Sequence, residues 1–171
     1  MAINEQVILV DEHDHPLGTM EKLEAHQKGL LHRAISVFIF DSGGRLLLQQ
    51  RAAHKYHSAG LWTNTCCSHP APGETALEAA HRRLEEEMGL RAPLTFAFTF
   101  CYRASFDNGL VENELDHVFI GHTDHAPTPN PAEVATYRWA DRETIERENM
   151  ETPEVYTAWF KLIYGKVFEK A

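Results

Sequence analysis

The sequence predicts an α+β fold in which one mixed β-sheet is sandwiched between helices. Three observations carry that prediction. Strand-like and helix-like segments are interleaved without strict βαβ alternation. No glycine-rich fingerprint follows a strand, which disfavours a dinucleotide-binding doubly wound sheet. The chain has 171 residues, 43% of them hydrophobic, enough to bury a single core but too few for several domains. No repeat, low-complexity tract or Gly/Ser linker divides it, so one domain over residues 1–171 is expected.

Each element has its own signal. Residues 7–10, Val-Ile-Leu-Val, read as a short buried strand, and the polar run 11–16 ends it, leaving His13 and His15 in a turn. Residues 20–27 suit a short helix closed by Gly29. Residues 33–40 and 45–50 are β-rich around the turn 41–44, Asp-Ser-Gly-Gly, a pattern that predicts a hairpin. In residues 75–88, Leu77, Ala80, Leu84 and Met88 recur at helical spacing, and Gly89 provides the stop. Residues 95–103, 116–121 and 137–139 read as strands, and the proline-rich run 127–131 as a surface loop. Asp141 caps a helix containing Thr144 and Ile145; Pro153 opens a last helix carrying Tyr156, Trp159, Phe160 and Ile163.

Composition excludes some functions. With 16 Lys+Arg against 25 Asp+Glu the net charge is −9, unsuited to gripping nucleic acid or an anionic membrane. No apolar run approaches the roughly 20 residues that span a bilayer. Three cysteines, two of them adjacent, make no closed disulfide framework, and no signal peptide is evident, so a reduced cytoplasmic chain is expected. A monomer is expected too, because no apolar stripe is left over. Eleven histidines point toward metal or proton chemistry.

Two segments concentrate that chemistry. In Cys66-Cys67-Ser68-His69 an extended backbone puts Cys67 and His69 on one face, where a thiol and an imidazole can exchange protons or share a metal. The alternative is that both cysteines are small core residues. In Glu112-Asn113-Glu114 the two carboxylates share a strand face and repel unless a proton or cation lies between them; the alternative is a solvated edge strand. His26, His32 and His69 with Glu112 and Glu114 form a donor set suited to Zn, Mn or Fe. His54, His57, His81, His117, His122 and His125 are read as surface residues. Glu85, Glu86 and Glu87 sit at a helix C-terminus, where the dipole disfavours each by about 0.3–1 kcal/mol, so one of them is a plausible metal ligand. Lys22, Arg51, Lys55 and Arg83 are basic residues that an anionic ligand would need.

At these residues the sequence closely resembles the type I isopentenyl-diphosphate delta-isomerase family of the Nudix superfamily. The run 63–70, Thr-Asn-Thr-Cys-Cys-Ser-His-Pro, is similar to its cysteine motif, and 112–114 to its glutamate motif. Glu21-Lys22, His26, His32, Trp62 and Trp159 extend the similarity over nearly the whole chain. The Nudix helix is degenerate: Arg83 stands where the hydrolases carry a glutamate ligand, while Glu86, Glu87 and Gly89 are kept.

The resemblance implies a Nudix-like fold with its core at about residues 31–165 and an N-terminal segment, 1–30, completing the site. It implies that isopentenyl and dimethylallyl diphosphate are interconverted by protonation and deprotonation through a tertiary cation. Cys67 and Glu114 would be the catalytic acid/base pair, and Tyr102 would hydrogen-bond the acidic partner. His26, His32, His69, Glu112 and Glu114 would hold Mn²⁺ or Zn²⁺. Glu87 and the backbone carbonyl of Cys67 would place Mg²⁺ on the diphosphate, assisted by Lys22, Arg51, Lys55 and Arg83. Trp159 would stack over the carbon chain. The N-terminal segment and the last helix would form a cover against water. Two alternatives remain, a Nudix hydrolase of a nucleoside diphosphate derivative and a non-catalytic metal- or thiol-sensing module.

Overall fold

A computed structural model describes residues 5–171. In chain order these form β1 (Gln6–Val10), β2 (Pro16–Glu21), α1 (Lys22–Lys28), β3 (His32–Phe40), β4 (Leu46–Arg51), β5 (Trp62–Thr63), β6 (Cys66–Ser68), α2 (Ala76–Met88), β7 (Leu94–Ser105), β8 (Val111–His122), β9 (Val134–Ala140), α3 (Arg142–Glu151), a 3-10 turn (Pro153–Val155) and α4 (Ala158–Lys170). Strand β3 organises the sheet. It runs parallel to β8 along its whole length, from His32 opposite Glu114 to Phe40 opposite His122. Its other edge is shared by β1 at Leu9, β6 over Cys66–Ser68 and β4 at Leu46.

Alternation within β3 divides the core. Ile35, Val37 and Ile39 pack on Ala79, Ala80, Leu84 and Met88 of α2. Phe38 and Phe40 pack on Phe160, Ile163 and Val167 of α4. A strand buried on both faces reads as a continuous apolar run, which is what residues 34–40 show except at Ser36. Helix α2 begins with a capping box between Thr75 and Glu78, worth about 1 kcal/mol. It ends at Gly89, whose φ of +63° closes the αL cap.

The face of β8 that looks toward α4 changes character halfway. Glu112, Glu114 and Asp116 occupy its first part, and Val118 and Ile120 continue it into the core. On β3 the same face carries His32, then Ser36, then Phe38 and Phe40. The polar ends of two adjacent parallel strands are thus brought together above a shared apolar floor.

Four sequence expectations need correction. The predicted hairpin meets only at Phe40 and Leu46, after which β4 departs to pair with β9 and β5, because β3 is claimed by β8 and β6. Glu112 and Glu114 lie on an interior strand between β3 and β7, so the solvated-edge alternative falls. Pro153 opens only a short 3-10 turn; Tyr156 stays extended and bridges to Trp62, Thr157 N–H donates to the Trp62 carbonyl at 2.9 Å, and the helix begins at Ala158. Leu77 is exposed; Ala80, Leu84 and Met88 form the buried stripe as expected, and Ala79 takes the place of Leu77 in it.

Candidate active site and metal centre

One pocket opens between β3, β6, β8, α1 and α4. Lys22, Arg51, Lys55, Cys67, His69, Arg83, Glu112, Glu114 and Trp159 all line it. His26 and His32 are fully buried behind it, facing the two glutamates. Glu87 lies below Arg83, which donates to it at 2.9 Å. Gln49 Nε2 donates to the same carboxylate at 3.0 Å.

The imidazoles are oriented from the backbone. His26 Nδ1 lies 2.7 Å from the Lys22 carbonyl and His32 Nδ1 2.9 Å from the Leu30 carbonyl, so each Nδ1 carries the proton. Their Nε2 lone pairs then point at acceptors, 3.6 Å from Glu112 Oε1 and 3.4 Å from Glu114 Oε2. Both Nε2 atoms are buried and make no hydrogen bond among the described residues. His69 Nε2 sits 2.7 Å from the same Glu114 oxygen. Lone pairs converging in a buried space need a proton or a cation between them. The donor atoms of His26, His32 and His69 lie within 4.8 Å of one another, a separation one ion can span.

The titration pattern agrees. Burial opposes charge on Glu114, but the neighbouring His32 and His69 hold its carboxyl well below the usual range. Glu112 is opposed by burial and by Glu114, yet His26 and His57 keep it low. Burial pushes His69 down to about 4, whereas Glu114 raises His32 against its burial.

The cysteines divide their roles. Cys66 is fully buried in the α2 core, so the small-core reading holds for it. Cys67 faces the pocket, with its S–H donating to Asn64 Oδ1 at 3.0 Å and its sulfur accepting the Trp159 indole N–H at 3.1 Å. Asn64 is itself locked by donating to the carbonyls of Val37 and Cys66. Burial first, and Asp116 second, push the Cys67 thiol up to about 12, leaving it neutral at ordinary pH. Arg51 lies over the Trp159 ring, 5.4 Å from its centroid.

Two expectations fail locally. The Tyr102 hydroxyl is buried and makes no hydrogen bond among the described residues, although Tyr102 pairs with Glu114 in register. His32 and His69 already crowd the Glu114 carboxylate. His57 and His117 are not surface residues. His57 is buried, stacks on Phe106 at 4.6 Å and places Nε2 2.8 Å from Glu112 Oε1. His117 packs against Asp14, with Nε2 2.9 Å from its carboxylate. Sequence reasoning also missed Ser36, Asp116 and Glu133, which line the pocket; Ser36 donates to Asp116 at 2.6 Å. The signal for Asp116 was available, since it extends the Glu112/Glu114 alternation by one step. The glutamates ending α2 are compensated by arginines: Arg91 pairs with Glu85, Arg82 and Arg83 with Glu86.

Residues 30–160 match the NUDIX domain family. An "Isopentenyl-diphosphate Delta-isomerase" of Pectobacterium atrosepticum is 60% identical over 95% of this chain and 90% of its own length. "Isopentenyl-diphosphate Delta-isomerase 2" of Aromatoleum aromaticum is 52% identical over 96% of this chain and 87% of its own. A crystal structure from Deinococcus radiodurans superposes with a TM-score of 0.76 at 19% identity, covering 92% of this chain and 96% of that one, and so shares the fold. No described helix is long and apolar enough to cross a membrane. The matched domain, the near-complete overlap with these relatives and the gathering of both motifs in one pocket lead to one assignment: the chain belongs to the NUDIX domain family and, within it, to the isopentenyl-diphosphate Delta-isomerases.

Proposed function

We infer that this chain is an isomerase that interconverts isopentenyl diphosphate and dimethylallyl diphosphate in isoprenoid biosynthesis. The observation that supports it most directly is that Cys67 and Glu114 line one buried pocket together with Trp159. Shifting an unactivated double bond needs a proton delivered to carbon and another removed elsewhere, so an acid and a base must both reach the substrate. Cys67 and Glu114 are read as that pair. The thiol is held protonated by burial and is aimed by Asn64 and Trp159. The Trp159 ring is read as the wall against which the hydrocarbon lies, where it would stabilise passing positive charge by about 0.5–2 kcal/mol. Tyr102 remains a protonated hydroxyl beside the two glutamates, available to the acidic partner only after a small shift.

The chain's donors fit divalent ions. His26, His32, His69, Glu112 and Glu114 are read as the Mn²⁺ or Zn²⁺ ligands, because the buried Nε2 atoms of His26 and His32 make no hydrogen bond among the described residues. Glu87 and the Cys67 backbone carbonyl are read as holding Mg²⁺ with the diphosphate. When bound, such ions set the acidity of Glu114 and neutralise phosphate charge. Lys22, Arg51, Lys55 and Arg83 line the same pocket and are read as the diphosphate grip. On this reading residues 1–171 act as one domain whose N-terminal segment completes the site, since Lys22 and His26 come from α1. We read the chain as a monomer, because its most exposed large apolar residues, Leu17, Phe96, Met150 and Leu162, sit on different elements.

The test is incubation with isopentenyl diphosphate and Mg²⁺ in deuterated water. Deuterium-bearing dimethylallyl diphosphate is expected; release of phosphate without isomer would favour the hydrolase. Undiminished turnover in Cys67→Ala or Glu114→Gln would overturn the assigned roles.

A further inference from the structure

The cations that face the pocket are already engaged. Lys55 is ion-paired to Glu133, and the second oxygen of Glu133 lies 3.5 Å from Arg83 Nη2. Arg83 also pairs with Glu87 at 2.9 Å, and Lys22 with Glu5 at 3.3 Å. At this end of the pocket Lys22, Lys55 and Arg83 are therefore matched one for one by Glu5, Glu87 and Glu133. Arg51 alone among the lining cations has no carboxylate partner among the described residues; its guanidinium donates to the His57 carbonyl and covers the Trp159 ring.

Glu133 is held by the backbone as well as by charge. Its carbonyl accepts from Ala52 N–H at 3.2 Å, and the neighbouring Ala132 carbonyl lies 2.7 Å from His54 Nε2, so residues 132–133 are fastened to the loop that presents Lys55. The side chain is only 13% exposed. Burial opposes its charge, but Lys55, Arg83 and Lys22 together keep it ionised, so it lies within the field of three of the four cations. A carboxylate on these donors is a two-oxygen anion in the place where phosphate oxygens would bind.

We propose that Glu133 is a resident counter-anion of the diphosphate cradle, which excludes metal-free diphosphate and makes entry depend on an accompanying divalent cation. The logic is charge balance. A bare diphosphate brings several negative charges to a cradle whose net charge is close to neutral, and it must displace Glu133 from Lys55 while carrying its full charge uncompensated. A diphosphate arriving with a divalent ion brings that compensation with it. Lys55 and Arg83 are then free to turn toward the phosphate oxygens. This deepens the isomerase reading and rests on its assignment of the basic cluster to the diphosphate.

The test uses inorganic pyrophosphate as probe, titrated calorimetrically into the full chain and into Glu133→Gln, with and without Mg²⁺. The amide keeps size and one acceptor but removes the charge; Glu133→Ala, measured beside it, serves should the amide variant lose its cooperative melt. The expected result is metal-free pyrophosphate binding at least about tenfold tighter in the variant, with Mg²⁺-pyrophosphate affinity changed by less than about twofold. Unchanged or weaker metal-free binding overturns the proposal. Weakened Mg²⁺-pyrophosphate binding also overturns it, because Glu133 would then be a metal ligand. If the parent chain isomerises isopentenyl diphosphate and the variant shows either of these results, the inference fails alone. If the parent neither isomerises nor binds pyrophosphate with Mg²⁺, the functional reading fails and takes the inference with it.

Discussion

Trp159 donates its indole N–H to the sulfur of Cys67 at 3.1 Å, joining α4 to β6 across the pocket. This bond and the one to Asn64 hold the thiol in a single orientation, and the N–H also favours the thiolate that remains when the proton leaves. Trp159→Phe keeps a smaller aromatic face and removes the N–H donor. Its kcat for isopentenyl diphosphate is expected to fall by about tenfold or more, with KM little changed. An unchanged kcat would reduce Trp159 to a packing residue.

His57 braces Glu112 at the same carboxylate oxygen that His26 faces. Groups that orient a ligand in this way typically cost about 10–100-fold in metal affinity when removed. His57→Asn is expected to weaken Mn²⁺ or Zn²⁺ binding by that order in a chelator competition, with activity recovered at excess metal. Equal affinity in the two proteins would count against it.

Metal removal should also register in stability. Glu112, Glu114 and three imidazoles crowd a buried space, so an ion that binds only the folded chain raises Tm by mass action. Dialysis against a chelator is expected to lower Tm, and added Mn²⁺ or Zn²⁺ to restore it. A melt indifferent to both would show that protons alone hold the cluster.

Away from the pocket, Glu74 is clamped by Arg82 through contacts of 2.7 and 2.8 Å and accepts Ala71 N–H at 2.9 Å. Arg82 leads in holding its carboxyl below the ordinary 4.5, against burial. A depressed carboxylate contributes stability that is present above its ordinary value and lost as pH falls through the lowered folded one. Acidification below about 4.5 should therefore reduce Tm more steeply in the parent than in Glu74→Gln, and parallel curves would contradict this.

Gly89 is required for two independent reasons. Its φ is +63°, and a Cβ there would lie 2.7 Å from the Thr128 carbonyl oxygen. The left-handed conformation alone costs a non-glycine residue about 1–2 kcal/mol, and the clash adds to it. Gly89→Ala is expected to destabilise the chain by about 2 kcal/mol or more in urea unfolding.

Helix α2 was legible because its cap, apolar spacing and glycine stop lie within fifteen consecutive residues, 75–89. Cys67, His69, Glu112 and Glu114 were legible because strand alternation fixes which of them share a face. What escaped depends on distant partners. His57 sits in a polar loop and is buried only because Phe106 and Trp159 close over it. The turn at 41–44 was read correctly as a turn, but nothing local to residues 33–40 announces a parallel partner at 114–122. Glu133 carries no local signal, and its meaning comes from Lys55 and Arg83.

The pairing of β3 with β8 has a kinetic consequence. His32 and Glu114 are adjacent in space but separated by most of the chain's middle, and two of the strands that build the pocket join only through that register. Local segments such as the β7–β8 hairpin can form early, but they bring together no complete acid, base and ligand set. Non-local parallel pairing is slow because the intervening loop must close before any contact rewards it. Regained turnover after dilution from denaturant is therefore a clock for the closure of that central pair, and it should lag behind the return of helical signal from α2.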